Sequence, residues 1–269
     1  MHEQAPISIQ VTSHYVTTNY LRRSVVVDIY DPAPPAGTAP CLLLLNDGQD
    51  LHQFQFQQML QALFRSGSIH PVICVGIHAG PERLQEYGIG ATPDYAGRGA
   101  LAGAYQNFIL SELLPFLYHQ LAIPHFARIA FAGFSLGGLS AFDTVWQHPQ
   151  VFQVAGAFSG SFWWRSRDLD DGYNDDQHRI MHQKVRSGQY HPGQRFYFTT
   201  GSLDESADRN GNGIIDSIDD TTDLVKELQA KGYKNTTDIQ YLNYEDGSHD
   251  VATWGRVMPA FLEWAFKLL

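Results

Sequence analysis

The segment Ile-Ala-Phe-Ala-Gly-Phe-Ser-Leu-Gly-Gly, residues 129–138, is the stretch from which the fold can be inferred. It begins as an apolar strand, breaks at Gly133 and resumes as a helix after Leu136. The pattern G-x-S-x-G between a strand and a helix is typical of a nucleophile elbow, whose sharp turn presents the hydroxyl of Ser135 at the sheet edge. A strand-turn-helix unit can also carry these letters by chance, with Gly133 and Gly137 only permitting a tight crossing.

Apolar strands and helices alternate on both sides of this segment. The first strand mixes apolar and polar residues, as an antiparallel strand with one wet face does, whereas the later strands are continuously apolar, as strands buried on both faces are. The predicted strands are 9–16, 24–30, 41–45, 72–77, 129–132, 154–158, 196–198 and 238–244. The predicted helices are 54–64, 105–121, 139–146, 223–231 and 254–269.

This alternation predicts an α/β fold with a mainly parallel sheet, antiparallel N-terminal strands and helices on both faces. Together with the elbow it indicates the α/β-hydrolase type. We find no repeat and no domain boundary, so residues 1–269 are predicted to form one domain. The polar stretch 165–194, with a short helix near 177–186, is predicted to be an excursion above the sheet.

The composition fits one soluble globular domain, with 43% hydrophobic and 17% charged residues among 269. The formal charge of -10 disfavours nucleic acid and anionic membranes as partners, because both are polyanions. No apolar run reaches the roughly 20 residues of a membrane span.

The chain start and the cysteines bear on the compartment. Met1-His-Glu-Gln-Ala lacks the basic and apolar regions of a signal peptide, which favours the cytoplasm unless a leader has been removed from a periplasmic or secreted protein. Cys41 and Cys74 lie in apolar runs and are predicted to be buried thiols, which do not distinguish these compartments.

Partners for an elbow serine are expected after later strands, in the order serine, acid, histidine. Asp204 and Glu205 follow one predicted strand, and His249 lies in the loop before the last helix. His249 would deprotonate Ser135, and a carboxylate would orient the imidazole. Asp204 is the preferred acid, with Glu205 as the alternative. Two further carboxylates near His249 are weaker candidates, namely Asp246 and Asp250.

An acyl-transfer site also needs N–H donors for the developing oxyanion. The residue after the nucleophile, Leu136, supplies one, and the loop after the strand 41–45 is expected to supply the other. In that loop Gly48 would let the chain turn and present the N–H of Gln49. An ordinary strand-to-helix loop would use the same residues.

Six segments in order resemble the esterase D-like branch of the α/β-hydrolases, which includes enterochelin, feruloyl and acetyl-xylan esterases, S-formylglutathione hydrolase and mycolyltransferases. They are Leu-Asn-Asp-Gly-Gln (45–49), Arg-Leu-Gln-Glu-Tyr (83–87), Glu-Leu-Leu-Pro (112–115), Gly-Phe-Ser-Leu-Gly-Gly-Leu-Ser (133–140), Ser-Gly-Ser-Phe-Trp-Trp (159–164) and Gly-Ser-His (247–249). The resemblance implies the same roles for Gln49, Ser135 and His249. The segment 159–164 is most similar to enterochelin esterases, in which two residues there line the substrate cleft.

Two further pairs of residues lie in these segments. Arg83 and Glu86 are expected to pair with each other or with neighbouring loops. Trp163 and Trp164 follow a strand at the edge where ligands bind, so they either stack on a sugar or phenolic acyl group or cap the core.

Residues 208–219 match the twelve-residue calcium loop and resemble the loops of dockerin modules, which also end in Asp. The glycine for the sharp bend is Gly213. The alternative is a polar turn rich in Asn and Gly. Because no matching helix precedes the loop, we expect one structural Ca²⁺ rather than a sensor pair. The predicted ligands are Asp208, Asn210, Asn212, the Ile214 carbonyl, Asp216 and Asp219.

Together these features predict a serine hydrolase that cleaves a small-molecule or glycosyl carboxylic ester through an acyl-serine intermediate, without an organic cofactor. An acyltransferase or thioesterase would use the same site and differ only in the acceptor. A catalytically silent binding module is the alternative from another class.

Overall fold

The computed structural model describes residues 8–34 and 37–267. The first seven residues, on which the expectation about a leader depends, and the last two residues of the predicted C-terminal helix lie outside these ranges. Within them, no helix is long and apolar enough to cross a membrane.

Eight strands form one sheet in the order β1-β2-β4-β3-β5-β6-β7-β8. The two N-terminal strands run antiparallel and the remaining pairs, from β4 to β8, are parallel, as predicted. The strands are β1 Gln10–Thr18, β2 Arg23–Asp31, β3 Cys41–Asn46, β4 Val72–Ile77, β5 Ile129–Phe134, β6 Val154–Phe158, β7 Arg195–Leu203 and β8 Ile239–Ser248.

Helices cover both faces of the sheet. The helices are α1 Phe56–Ser66, α2 Arg83–Glu86, α3 Ala102–Phe108, α4 Leu114–Gln120, α5 Leu136–Gln147, α6 Asp175–His178, α7 Ile180–Ser187, α8 Asp216–Lys231 and α9 Val251–Phe266. A 3₁₀ segment, Gly48–Phe54, precedes α1, and a π-helical turn, Ile109–Leu113, joins α3 to α4. The predicted helix 105–121 is therefore one winding path with a local π turn in its middle.

The residues of β3 show why its apolar run is continuous. Leu42 and Leu44 pack into the core beneath α3–α5, whereas Leu43 and Leu45 pack into the core beneath α1 and α9. All four side chains are fully buried, since successive side chains of a strand point to opposite faces. Cys41 and Cys74 are free thiols buried in the second of these cores, as the sequence predicts.

The crossing between β5 and α5 leaves no room for side chains at its glycines. A Cβ atom on Gly133 would lie 2.5 Å from the backbone carbonyl carbon of Gly137, and one on Gly137 would lie 2.7 Å from Asp47 Oδ2. The glycines of the elbow are therefore required by close approach of backbone to backbone and to the neighbouring loop.

We predict that Gly133→Ala lowers the free energy of unfolding by about 2 kcal/mol or more, because the methyl group overlaps main-chain atoms that cannot move independently. Gly103→Ala is the matched control, since its Cβ meets nothing closer than 3.6 Å and it lies within α3. It should be neutral or stabilise by up to about 1 kcal/mol. Urea unfolding of both variants measures the difference, and equal stabilities would refute the crowding.

Candidate active site

Ser135 has a strained backbone at the junction of β5 and α5. Its φ of 52° and ψ of -121° lie where an L-residue other than glycine is rarely found. Its N–H donates to the Phe158 carbonyl at 2.9 Å, and its own carbonyl accepts from Ser161 N at 3.1 Å. Backbone bonds to the neighbouring strand and to the loop after it thus hold the turn, and they position the Ser135 hydroxyl 3.4 Å from Ser161 Oγ.

Strand pairing brings His249 and Asp204 together. Leu203 of β7 pairs with Ser248 of β8, so that the next residue of each chain segment is Asp204 or His249. His249 Nδ1 lies 4.0 Å from Asp204 Oδ1, just beyond hydrogen-bond distance. The Asp204 side chain is 1% exposed, and the Gly201 N–H donates to its Oδ2 at 2.9 Å. Asp204 Oδ1 is buried and has no hydrogen-bond partner among the residues that the structure describes.

The environment of His249 favours the neutral imidazole. Burial lowers the pKa of His249 below its ordinary value of 6.5, the charges of Asp204 and Asp250 oppose this shift, and Arg83 adds to it.

The His249 ring also packs against a neighbouring aromatic side chain. The edge of the imidazole contacts the Trp254 ring at a centroid distance of 5.1 Å, and the Trp254 indole N–H donates to Ser159 Oγ at 3.2 Å. Among the described residues no hydrogen bond joins His249 to Ser135, and such bonds are often long in structures without substrate.

The alternative acids face other groups. Glu205 accepts the Ser217 N–H at 2.7 Å, and burial raises the pKa of Glu205. Asp246 forms a two-bond pair with Arg256 at the surface, and Asp250 caps α9 by accepting the Thr253 N–H at 2.7 Å. The geometry therefore favours Asp204 as the carboxylate that meets His249.

The predicted oxyanion loop is clamped from several sides. Arg83 donates two hydrogen bonds to the buried Asp47 carboxylate, at 2.7 and 2.8 Å, and Asp47 N donates to Tyr87 Oη at 3.2 Å. The neighbouring Asn46 amide donates to the Gly137 carbonyl at 2.8 Å and accepts from Tyr105 Oη at 2.5 Å. These bonds tie the end of β3 directly to the first turn of α5, which follows the serine.

The turn in this loop differs from the predicted one. The left-handed residue is Asp47, with φ of 58°, rather than Gly48. Gly48 is instead required for packing, because a Cβ there would lie 2.3 Å from the Gly76 carbonyl carbon on β4. In the described part of the chain the N–H groups of Gln49 and Leu136 donate to no protein acceptor, so both are available to a bound oxyanion.

Arg83 and Glu86 do not pair with each other. Arg83 binds Asp47 of the oxyanion loop, and Glu86 forms a buried two-bond pair with Arg23 of β2. Of these two residues, Arg83 is the one that contacts the predicted oxyanion loop.

The adjacent tryptophans occupy different environments. Trp164 is fully buried, its indole N–H donates to the Thr92 carbonyl at 3.2 Å, and its ring fills the space beside Gly88 and Gly99. This burial favours the alternative in which Trp164 caps the core over the one in which it contacts substrate. Trp163 is only partly buried and remains the candidate for stacking.

The predicted calcium loop bends as that pattern requires. Gly213 has φ of 85°, and its N–H donates to Asp208 Oδ2 at 2.9 Å. The side-chain amides of Asn210 and Asn212 both donate to Asp219 Oδ2, at 2.9 and 2.7 Å.

The structure departs from the predicted ligand set at Asp216. Helix α8 begins there, inside the loop, and the Asp216 carboxylate accepts the Arg209 N–H at 2.9 Å and pairs with the Arg209 side chain. The Ile214 side chain is exposed and its N–H donates to Asn212 Oδ1. Residues 8–34 and 37–267 contain no group of three or more His, Cys, Asp or Glu side chains that could hold a metal ion.

The chain is similar in sequence to known proteins. A family model described as "Putative esterase" matches residues 18–265. An uncharacterised protein of Bacillus subtilis (strain 168), YbbA, is 26% identical over 128 residues, which are 45% of this chain and 50% of the relative.

Solved structures share the fold. The enterobactin esterase FES from Shigella flexneri has a TM-score of 0.73 and 22% identity, over 97% of this chain and 59% of that one. An IroE-like serine hydrolase from Shewanella oneidensis has a TM-score of 0.70 and 19% identity, over 95% and 79%. The chain thus spans about half of the Bacillus protein and about three fifths of the Shigella protein.

We predict that Trp164→Ala lowers the free energy of unfolding by about 3–5 kcal/mol, the usual cost of emptying a fully buried aromatic site. Trp163→Ala, the neighbouring control, should cost clearly less because its ring is partly exposed. Urea unfolding distinguishes the two positions. A Trp164→Ala protein as stable as wild type, with only KM raised, would return Trp164 to the cleft.

Proposed function

The chain belongs to the esterase family whose model spans residues 18–265, and from this premise we propose that it is a serine hydrolase that cleaves a carboxylic ester through an acyl-serine intermediate. The observation that carries the proposal is the unsatisfied Asp204 Oδ1 beside His249 Nδ1. A buried carboxylate oxygen without a donor is costly, and a small rotation of the imidazole would satisfy it. That hydrogen bond would fix the proton on Nδ1 and leave Nε2 free to accept.

In the proposed reaction, His249 Nε2 accepts the proton of the Ser135 hydroxyl as its oxygen attacks the ester carbonyl. The negative charge that develops on the carbonyl oxygen is stabilised by the N–H groups of Gln49 and Leu136. His249 then donates its proton to the leaving alcohol. Water, deprotonated by His249, attacks the acyl group and releases the acid, after which Ser135 regains its proton.

The Arg83–Asp47 pair supports this proposal, because it anchors the loop that carries the Gln49 N–H. Preorganised donors stabilise the transition state without reorganisation during the reaction. The strained turn at Ser135 supports the same role, because it holds the hydroxyl beside the N-terminal turn of α5.

We predict that Ser135→Ala lowers kcat for p-nitrophenyl acetate by on the order of 10⁴-fold or more, and His249→Ala by nearly as much, because the two residues act as a unit. The double variant should lose little beyond either single one. Steady-state kinetics and circular dichroism on each variant check the losses against retained folding. A folded Ser135→Ala enzyme within tenfold of wild type would remove Ser135 from the mechanism.

The pH dependence is expected to follow His249, which must be neutral to accept a proton. kcat/KM should fall as pH drops through the His249 pKa, below 6.5 because burial lowers that pKa. Asp204→Asn removes the charge that opposes the shift, so the acid limb should move to lower pH and the plateau fall by on the order of 10³-fold. Glu205→Gln, the control, should leave the limb near its wild-type position. The opposite order in kcat would make Glu205 the acid.

We also propose one structural Ca²⁺ in the loop 208–219. Support comes from the sequence pattern and from the bend at Gly213. Asp208 and Asp219, the asparagine side-chain oxygens after amide reorientation and the Ile214 carbonyl would be the ligands, and Asp216 would contact the ion through water, as position 9 often does.

Calcium at 100 times its Kd should add about 2.7 kcal/mol to the free energy of unfolding, whereas magnesium should add little because its octahedral shell suits a flexible loop poorly. Thermal unfolding of wild type and Asp208→Ala in EDTA, calcium or magnesium measures this. Identical melting of wild type in all three would leave the segment a polar turn.

A further inference from the structure

A cavity of about 290 Å³ has no role in the mechanism above. Two of its walls come from the loops that carry the site. Trp163 lies two residues after Ser161, whose hydroxyl oxygen is 3.4 Å from that of Ser135. Glu205 directly follows Asp204. Because both loops leave the same edge of the sheet, a group bound in this cavity can belong to the molecule that reacts at Ser135.

Arginine and aromatic side chains form most of the lining. The arginines are Arg98, Arg165 and Arg209, and the aromatic residues are Tyr95, Trp163 and Tyr173. This concentration of positive charge is unusual for a chain with 28 acidic and 18 basic residues. The lining also contains the carboxylates of Glu205 and Asp216, so a negatively charged occupant is favoured only where a guanidinium is not already paired.

Two of the three arginines are already neutralised. Arg98 donates to Asp94 Oδ2 at 2.7 Å, and that carboxylate is fully buried. Arg209 donates to Asp175 at 2.7 Å and also contacts the carboxylates of Asp216 and Asp220. The Arg98 charge is therefore matched within its own loop, and the Arg209 charge joins the excursion to α8.

Arg165 differs from both. Its nearest carboxylate, Asp168 Oδ1, is 3.8 Å away on a side chain that is 52% exposed. In the described ranges, 8–34 and 37–267, its Nε is buried without a hydrogen-bond partner, and its Nη2 donates a long bond, 3.4 Å, to Tyr95 Oη. A guanidinium with unused donors in a largely buried position is suited to bind an anion.

Aromatic rings surround the Arg165 guanidinium. Its carbon lies 4.8 Å from the Tyr95 ring centroid and 5.8 Å from each of the Trp163 and Tyr173 centroids. Arg165 therefore covers one face of Tyr95, and Arg98 lies over Trp163, so a bound ring would stack on the faces of Tyr95 and Trp163 that these arginines leave open. Of the two acidic groups of the lining, Asp216 pairs with Arg209 of the same cavity, and Glu205 accepts the Ser217 N–H.

We propose that this cavity binds an aryl group of the ester substrate that carries a carboxylate. The ring lies against Trp163 and Tyr95, and the carboxylate accepts hydrogen bonds from Arg165. A cavity of this size accommodates one substituted ring. The assignment to the substrate rests on the proposed esterase function, whereas the binding of an aryl carboxylate can be measured without turnover.

The test compares benzoate with benzamide, its neutral isostere, by titration calorimetry at low salt on wild type, Arg165→Gln and Arg186→Gln. Arg186 is the matched control because it is an exposed arginine paired with Glu227, away from the cavity. Wild type should bind benzoate about tenfold more tightly than benzamide, as one charge-assisted hydrogen bond provides. Arg165→Gln should reduce that ratio to about one, and Arg186→Gln should retain it.

Equal affinities in wild type, binding of neither probe, or an unchanged ratio in Arg165→Gln would overturn the proposal. If Arg165→Gln fails to fold, Arg165→Lys replaces it, and the ratio should then fall partway because ammonium keeps the charge but loses the planar fork. Absence of ester hydrolysis together with the expected benzoate binding would reject the proposed function and leave the anion site intact.

Discussion

The positive φ of Ser135 is the constraint from which the other features of the site follow. A serine in this conformation persists only where the surrounding structure determines it, and here the bonds to Phe158 and from Ser161 do so. The same turn brings the start of α5 so close to β5 and to the loop after β3 that only glycine fits at positions 133 and 137. The proposed nucleophile, the start of α5 and the proposed oxyanion loop are thereby brought together by one backbone crossing.

Buried charge pairs surround this crossing. The buried Asp47 carboxylate is matched by Arg83, and the buried Glu86 carboxylate by Arg23. Asp204 differs from these two, because within the described residues its Oδ1 has no donor and lies 4.0 Å from His249 Nδ1. An imidazole is the group that can satisfy it and still exchange protons near neutral pH.

Local patterns were sufficient to predict the sheet, the elbow and the positions of Asp204 and His249 at strand ends. Continuous apolar runs such as 41–45 identify doubly buried strands, and G-x-S-x-G identifies the turn. The sequence could not predict that Arg83 would bind Asp47 or that Glu86 would bind Arg23, because those pairs join residues 36 and 63 positions apart.

Trp163 and Trp164 are adjacent and chemically identical, so only packing distinguishes the buried ring from the partly exposed one. Asp216 stands at a ligand position of the calcium pattern, but α8 begins earlier than predicted, at Asp216, and Arg209 pairs with the Asp216 carboxylate.

The central claim is that Ser135 is the nucleophile, and its most direct test is covalent labelling. A phosphorylating serine reagent such as diethyl p-nitrophenyl phosphate should add one diethylphosphoryl group to the intact protein, and peptide mass spectrometry should locate it on Ser135. Labelling should be absent in Ser135→Ala and strongly slowed in His249→Ala, since the histidine activates the hydroxyl. An adduct on another residue, or equal labelling of Ser135→Ala and wild type, would contradict the account.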